Sequence, residues 1–242
     1  MMTSQTAYLR ILGYVVTIVM HVGNIVFMNF CIKREYGNDP ELKRFSKLQP
    51  RYLTCWTFFL QIVYAVIGLV CEYLLISNSN DKLYKLPKHL KGLKQTLFSA
   101  VLWPSTWVVF SVFWSLYIYD RRLIFPSFAD KVVTPVSNHI MHTAIVGVSL
   151  WEVMLQPRTR PQSHNRNLFH LGFHLALYFS VLVYTFIHNG VWIYPIFELF
   201  YGTVYFPLLP LTIASMAFGF YYMQWPLTDV FWKNKEKTTK IK

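Results

Sequence analysis

The stretch Val132–Leu155 reads VVTPVSNHIMHTAIVGVSLWEVML, which combines the length of a membrane span with polar side chains that such spans rarely carry. Ionisable groups are costly inside a bilayer, so His139 and His142 mark a candidate functional site. Four polar residues share one face of the predicted helix, at spacings of four, seven and three: Asn138, His142, Ser149 and Glu152. We expect this face to meet protein or water rather than lipid.

The composition extends this interpretation to the whole chain. Of its 242 residues, 54% are hydrophobic, 18% are aromatic and only 14% are charged, too apolar for an ordinary soluble domain. We predict an all-α fold, a polytopic bundle of about six transmembrane helices. The predicted spans are 7–32, 52–76, 97–119, 132–155, 168–188 and 203–224. They form one integral membrane domain, 1–232, followed by a lysine-rich cytosolic tail, 233–242.

The charge of +12 is spread between the apolar runs and the C-terminal tail. This distribution fits basic residues beside anionic headgroups, and it does not form the single basic face of a nucleic-acid-binding protein. Counted by the positive-inside rule, it favours cytosolic termini, although the basic first loop, 33–51, opposes that orientation. The expected location is the endoplasmic reticulum or the plasma membrane.

A second polar stripe begins the predicted span 52–76, where Thr54, Thr57 and Gln61 share a face that could meet His142. A neutral histidine can take the proton of a threonine hydroxyl, so Thr54 and His142 form a candidate nucleophile and base. His142 lies deeper in its span than Thr54, unless its helix starts late, for instance at Pro135. Alternatively, Thr54 bonds its own backbone, as threonines near helix starts commonly do.

Two other functions stay open at this stage. A metal-dependent lipid enzyme could use the histidine pairs His139/His142 and His170/His174, each pair on one helical face, although a complete site needs further ligands. A non-enzymatic carrier or lipid-binding protein could use the polar stripe as a pathway. The cysteines form no CxxC pair and no zinc spacing, and are interpreted as small hydrophobic residues: Cys31, Cys55 and Cys71. We expect neither a metal nor another cofactor.

Several strings in order resemble the androgen-induced gene 1 family, which includes the androgen-dependent TFPI-regulating protein. These strings are RYLT (51–54), FWSLYIYDR (113–121), IFP (124–126), SNHIMHT (137–143) and GVWIYP (190–195). The resemblance implies a multi-pass membrane hydrolase that cleaves fatty acid esters of hydroxy fatty acids. It also implies that Thr54 is the nucleophile and that His142 is the catalytic histidine. The segment Met223–Thr228 departs from the family pattern, which predicts a divergent member.

Possible supporting residues lie close to His142 in sequence. Asn138 and His139 are candidates for donating to the oxyanion or for orienting the base. We expect Asp120 and Arg121 to form an interfacial ion pair instead of supplying a triad acid. The expected partner is a lipid substrate that enters from the bilayer, while the oligomeric state is not predicted.

Overall fold

The computed structural model describes residues 4–35, 39–81 and 83–240, with the side chains of residues 5–232 inside those ranges. The regular structure of these residues is helical throughout, so the predicted all-α fold class is confirmed. The helices are α1 Ser4–Glu35, α2 Pro40–Leu48, α3 Leu53–Ser77, α4 Lys88–Thr96, α5 Trp103–Asp120, α6 Pro135–His139, α7 Ile145–Leu155, α8 Asn165–Asn189, α9 Pro195–Phe200 and α10 Leu208–Lys240.

Two π-helical segments join neighbouring helices into longer rods. Leu97–Leu102 connects α4 to α5, and Ile140–Ala144 connects α6 to α7. A π-turn widens an α-helix locally and is frequent at functional sites. The stretch 135–155 is therefore one continuous helix, and His142 lies in its widened segment.

Within the described residues, four helical stretches are long and apolar enough to cross a membrane: Gln5–Glu35, Leu53–Ser77, Lys88–Leu123 and Asn165–Asn189. They correspond to the first, second, third and fifth predicted spans. The other two predicted spans are also helical, but polar side chains such as His142 and Gln224 lower their mean hydropathy. The chain is thus a polytopic helical membrane protein.

The helix ends differ from the predicted ones where polar residues continue or cap a helix. The helix of the third predicted span begins at Lys88 instead of Leu97, because α4 is amphipathic. The helix of the fourth predicted span begins at Pro135, after its cap Thr134. The last helix begins at Leu208, after a turn in which Gly202 adopts a positive φ of 79°. Its backbone continues to Lys240, while the tail side chains and residues 241–242 lie outside the described part.

The register between α3 and the helix 135–155 determines which polar residues meet. Three hydrogen-bonded pairs connect these parallel helices, and in each the partners are 88 positions apart: Thr54 with His142, Gln61 with Ser149, and Tyr64 with Glu152. The constant offset shows that the two polar stripes face each other along the whole contact. Apolar clusters pack on both sides of this contact.

Candidate active site

Thr54 is the second residue of α3, a position that orients its side chain toward the neighbouring helix. Its Oγ1 lies 3.3 Å from Nε2 of His142. Thr57, one turn further on, donates instead to the backbone oxygen of Leu53, at 2.9 Å. The backbone-bonded alternative therefore describes Thr57, whereas the Thr54 hydroxyl bonds to His142.

The contacts of His142 determine which ring nitrogen carries the proton. Nδ1 lies 3.1 Å from the backbone oxygen of Asn138 and 2.8 Å from its Oδ1. Both atoms are acceptors, so Nδ1 must donate, and the lone pair of Nε2 faces Thr54. The imidazole also stacks on Phe113, with 3.5 Å between ring centroids and 5° between planes, which restricts its rotation.

The expected depth difference between the two residues does not prevent their contact. The fourth helix begins at Pro135, and Oγ1 of Thr134 caps it by accepting from the amide of Ser137 at 3.2 Å. The first residues of this helix therefore extend past the start of α3. His142, although eighth in its helix, lies at the level of Thr54.

Of the possible supporting residues, the structure brings only Asn138 to the pair. His139 is exposed on another face, where its ring stacks on Trp114 and its Nδ1 lies 3.1 Å from Oγ1 of Thr143. The expected ion pair of Asp120 with Arg121 is wrong. Asp120 pairs with Arg122 because that side chain folds back over the helix end, and Arg121 pairs with Asp130.

An apolar cavity of about 530 Å³ lies in front of Thr54 and His142. Helices α5, α8 and α10 supply about half of its lining residues, and α2 contributes Phe45. Few polar atoms reach the cavity, and several of them belong to tyrosines. A site of this size and polarity suits an acyl chain with one reactive polar group.

Sequence reasoning missed two tyrosines at this site. The hydroxyls of Tyr178 and Tyr194 each lie 2.9 Å from the backbone nitrogen of Leu53, the residue before Thr54. Tyr194 belongs to the GVWIYP string, which served there only as evidence for the family resemblance. Tyr178 follows His174 by four residues and so shares its buried face, which was the available signal.

The second histidine pair has a different environment. His174 lies 3.2 Å from Oγ of Ser105, and His170 contacts the ring of Phe169. Across the described ranges, no group of three His, Cys, Asp or Glu side chains is arranged to hold a metal ion.

Glu152, at the far end of the stripe, bonds to Tyr14, Tyr64 and Arg158 and not to His142.

The fold and the site together define an all-α membrane protein with a threonine, a histidine and an asparagine grouped at an apolar cavity. The model of the FAR-17a/AIG1-like protein family matches residues 12–226, so the chain belongs to this family. The chain is 30% identical to the androgen-dependent TFPI-regulating protein of Mus musculus over 174 residues, which cover 72% of this chain and 74% of that protein.

Two human relatives are similar at comparable levels. The androgen-dependent TFPI-regulating protein of Homo sapiens is 28% identical over 172 residues, or 71% of this chain and 73% of that protein. The androgen-induced gene 1 protein of Homo sapiens is 27% identical over 153 residues, or 59% of this chain and 62% of that protein. No solved structure matches the chain. The expected family resemblance is therefore confirmed.

Proposed function

We propose that this protein is an intramembrane threonine hydrolase that cleaves fatty acid esters of hydroxy fatty acids. The observation that carries the proposal is the 3.3 Å contact between Oγ1 of Thr54 and Nε2 of His142 beside an apolar cavity. The bond from Nδ1 of His142 to Asn138 supports it, because it leaves Nε2 free to act as a base.

The first half of the proposed reaction forms an acyl-enzyme. His142 Nε2 takes the hydroxyl proton of Thr54 while Oγ1 attacks the ester carbonyl carbon. The tetrahedral intermediate then expels the oxygen of the hydroxy fatty acid, which receives the same proton from Nε2. An acyl-threonine remains, and the hydroxy fatty acid is the first product.

The second half restores the enzyme. A water molecule takes the position of the departed alcohol and gives one proton to Nε2 of His142 as its oxygen attacks the acyl carbon. Collapse of this intermediate breaks the bond to Oγ1, which recovers its proton from Nε2, and the fatty acid leaves. Asn138 and Phe113 hold the imidazole in one orientation through both halves.

The position of the site within a membrane domain suits such a substrate. A lipid ester dissolves in the bilayer, so entry between helices would spare the transfer of each apolar chain through water. The wall formed by α8 and α10 is rich in leucine and phenylalanine, including Leu175, Phe179 and Leu209. This wall can hold one acyl chain while the ester reaches Thr54.

The test compares membranes that contain the wild type, Thr54→Val or Thr57→Val at matched expression, with a fatty acid ester of a hydroxy fatty acid as substrate. Valine keeps the shape of threonine and removes only the hydroxyl. We expect Thr54→Val to abolish hydrolysis and Thr57→Val to retain it, because the Thr57 hydroxyl bonds its own backbone. Equal activity of the wild type and Thr54→Val, or an inactive wild type, would reject the proposal.

A further inference from the structure

Two tyrosine hydroxyls meet at the first amide of α3. Tyr178 and Tyr194 both accept from the backbone nitrogen of Leu53, at 2.9 Å each, and their oxygens lie 2.8 Å apart. Tyr178 comes from the middle of α8 and Tyr194 from the turn before α9, so two separate elements converge on this amide. Both side chains line the cavity that contains Thr54 and His142.

A count of hydrogens shows that this pair has a donor to spare. The two phenols carry one hydrogen each, and the amide of Leu53 supplies its own. One phenolic hydrogen forms the bond between Tyr178 and Tyr194, in either direction. The other phenolic hydrogen has no acceptor among the contacts of these two residues, and it belongs to a side chain on the cavity wall.

The two candidate donors beside His142 in the sequence have other contacts. Oδ1 of Asn138 accepts from Nδ1 of His142, and His139 faces away from the cavity. The pair bonds to the amide of the residue that directly precedes Thr54, and both tyrosines line the cavity that Thr54 and His142 also line. An acyl-transfer site needs donors for the oxygen that becomes negative, and a buried hydroxyl is a suitable one.

We propose that the Tyr178–Tyr194 pair donates its spare hydrogen to the carbonyl oxygen of the substrate and stabilises the oxyanion. This inference rests on the proposed hydrolase function. As Oγ1 of Thr54 bonds to the carbonyl carbon, the π electrons move to oxygen, and the phenolic hydrogen bond strengthens without transfer of its proton. The electrons return when the leaving oxygen departs, so the pair is unchanged after each half-reaction.

The shared hydrogen predicts an unusual pattern among phenylalanine variants. When Tyr178→Phe removes one phenol, the hydroxyl of Tyr194 no longer donates to its neighbour and its hydrogen becomes the spare one. The same holds for Tyr194→Phe in reverse. Each single variant should therefore keep kcat within about tenfold, whereas the double variant should lose about 10²–10³-fold, the usual effect of one oxyanion donor.

A thionoester substrate separates an oxyanion donor from a merely structural role. Sulfur accepts hydrogen bonds weakly, so a site with a working donor prefers the oxygen ester over its C=S analogue. We expect the ratio of kcat/KM for the two substrates to be high in the wild type and both single variants, and to fall in the double variant. Tyr73→Phe is the control, because Tyr73 is exposed on α3 and does not line the cavity.

Each outcome decides one claim. An inactive wild type rejects the hydrolase function itself. An active wild type with an unchanged substrate ratio in the double variant overturns the tyrosine proposal alone, even if its kcat falls. If the double variant does not accumulate, 3-fluorotyrosine at positions 178 and 194 provides a stronger donor of nearly the same shape; a raised ratio supports the proposal and an unchanged ratio overturns it.

Discussion

At the scale of single residues, Asn138 fixes the position of the His142 ring. It offers two acceptors to Nδ1, one from its backbone and one from its side chain, at 3.1 and 2.8 Å. The side-chain contact is the shorter of the two and adds a second acceptor for the Nδ1 proton, while stacking on Phe113 restricts the ring plane. In the proposed mechanism, this asparagine takes the role that a carboxylate has in other nucleophile–histidine sites.

This arrangement predicts that Asn138→Ala lowers kcat by about 10–100-fold, part of what general base catalysis contributes, with a smaller change in KM. His139→Ala is the control, because that side chain is exposed and bonds only to Thr143 among its polar neighbours. Steady-state hydrolysis by both variants checks the prediction. If His139→Ala lost activity while Asn138→Ala kept normal activity, the supporting role would belong to His139 and not to Asn138.

Single-residue patterns predicted much of this site. The helical spacing identified Thr54, His142 and Asn138, since polar residues on apolar helices are few and their faces follow from the period of the helix. The task of Asn138 stayed open because spacing does not tell which atom faces the ring. Tyr178 and Tyr194 were missed because their partner is a backbone amide, and the spacing of Tyr178 from His174 indicates a buried face without indicating that partner.

At the scale of helices, close approach occurs where glycine meets an aromatic ring. A Cβ at Gly68 of α3 would lie 2.5 Å from the ring of Tyr14 on α1. Tyr14 cannot move away easily, because its hydroxyl bonds to Glu152 and Lys94. By contrast, a Cβ at Gly219 of α10 would meet open space.

We therefore expect Gly68→Ala to destabilise the protein by about 1–3 kcal/mol, the usual cost of overpacking. Gly219→Ala should be neutral or stabilising, because alanine is the better helix former by about 1 kcal/mol. Thermal unfolding of the purified protein in detergent distinguishes the two variants. A Gly68→Ala protein as stable as the wild type would show that α1 and α3 are less tightly packed than described.

Helix positions followed well from apolar runs, whereas helix ends did not. The run 52–76 predicted α3 to within one residue at each end, because the composition changes sharply at both. The apolar runs did not predict α4, which forms the first turns of the third span, because α4 is polar on one side. The π-turn around His142 also could not be predicted from sequence, since it depends on packing against the neighbouring helices.

At the scale of the whole molecule, a second polar centre holds the helices together. Glu152 accepts from Tyr14 of α1, from Tyr64 of α3 and from Arg158 beyond α7, and Nζ of Lys94 lies 3.8 Å away. The partners come from four separate parts of the chain, so no local pattern predicted them. Ten residues separate Glu152 from His142, about 15 Å along a helix, which keeps this centre away from the proposed chemistry.

Removal of the carboxylate charge should therefore affect stability and not catalysis. Glu152→Gln leaves Arg158 and Lys94 buried without their counter-ion, and loss of one partner of a buried pair costs about 3–5 kcal/mol. The exposed pair of Arg34 with Glu35 provides the control, since Glu35→Gln should change stability by less than about 0.5 kcal/mol. Unfolding in detergent measures the change in the free energy of unfolding for both variants. The turnover per folded molecule of Glu152→Gln should stay unchanged.

The central claim is that Thr54 is a nucleophile activated by His142, and covalent trapping tests it most directly. A fluorophosphonate with a long alkyl chain reacts with an activated hydroxyl, which displaces fluoride and leaves a stable phosphonate ester. After digestion of labelled membranes, mass spectrometry should locate the adduct on Thr54. The adduct should be absent from Thr54→Val and strongly reduced in His142→Ala. An adduct on another residue, or equal labelling of Thr54→Val, would contradict the account.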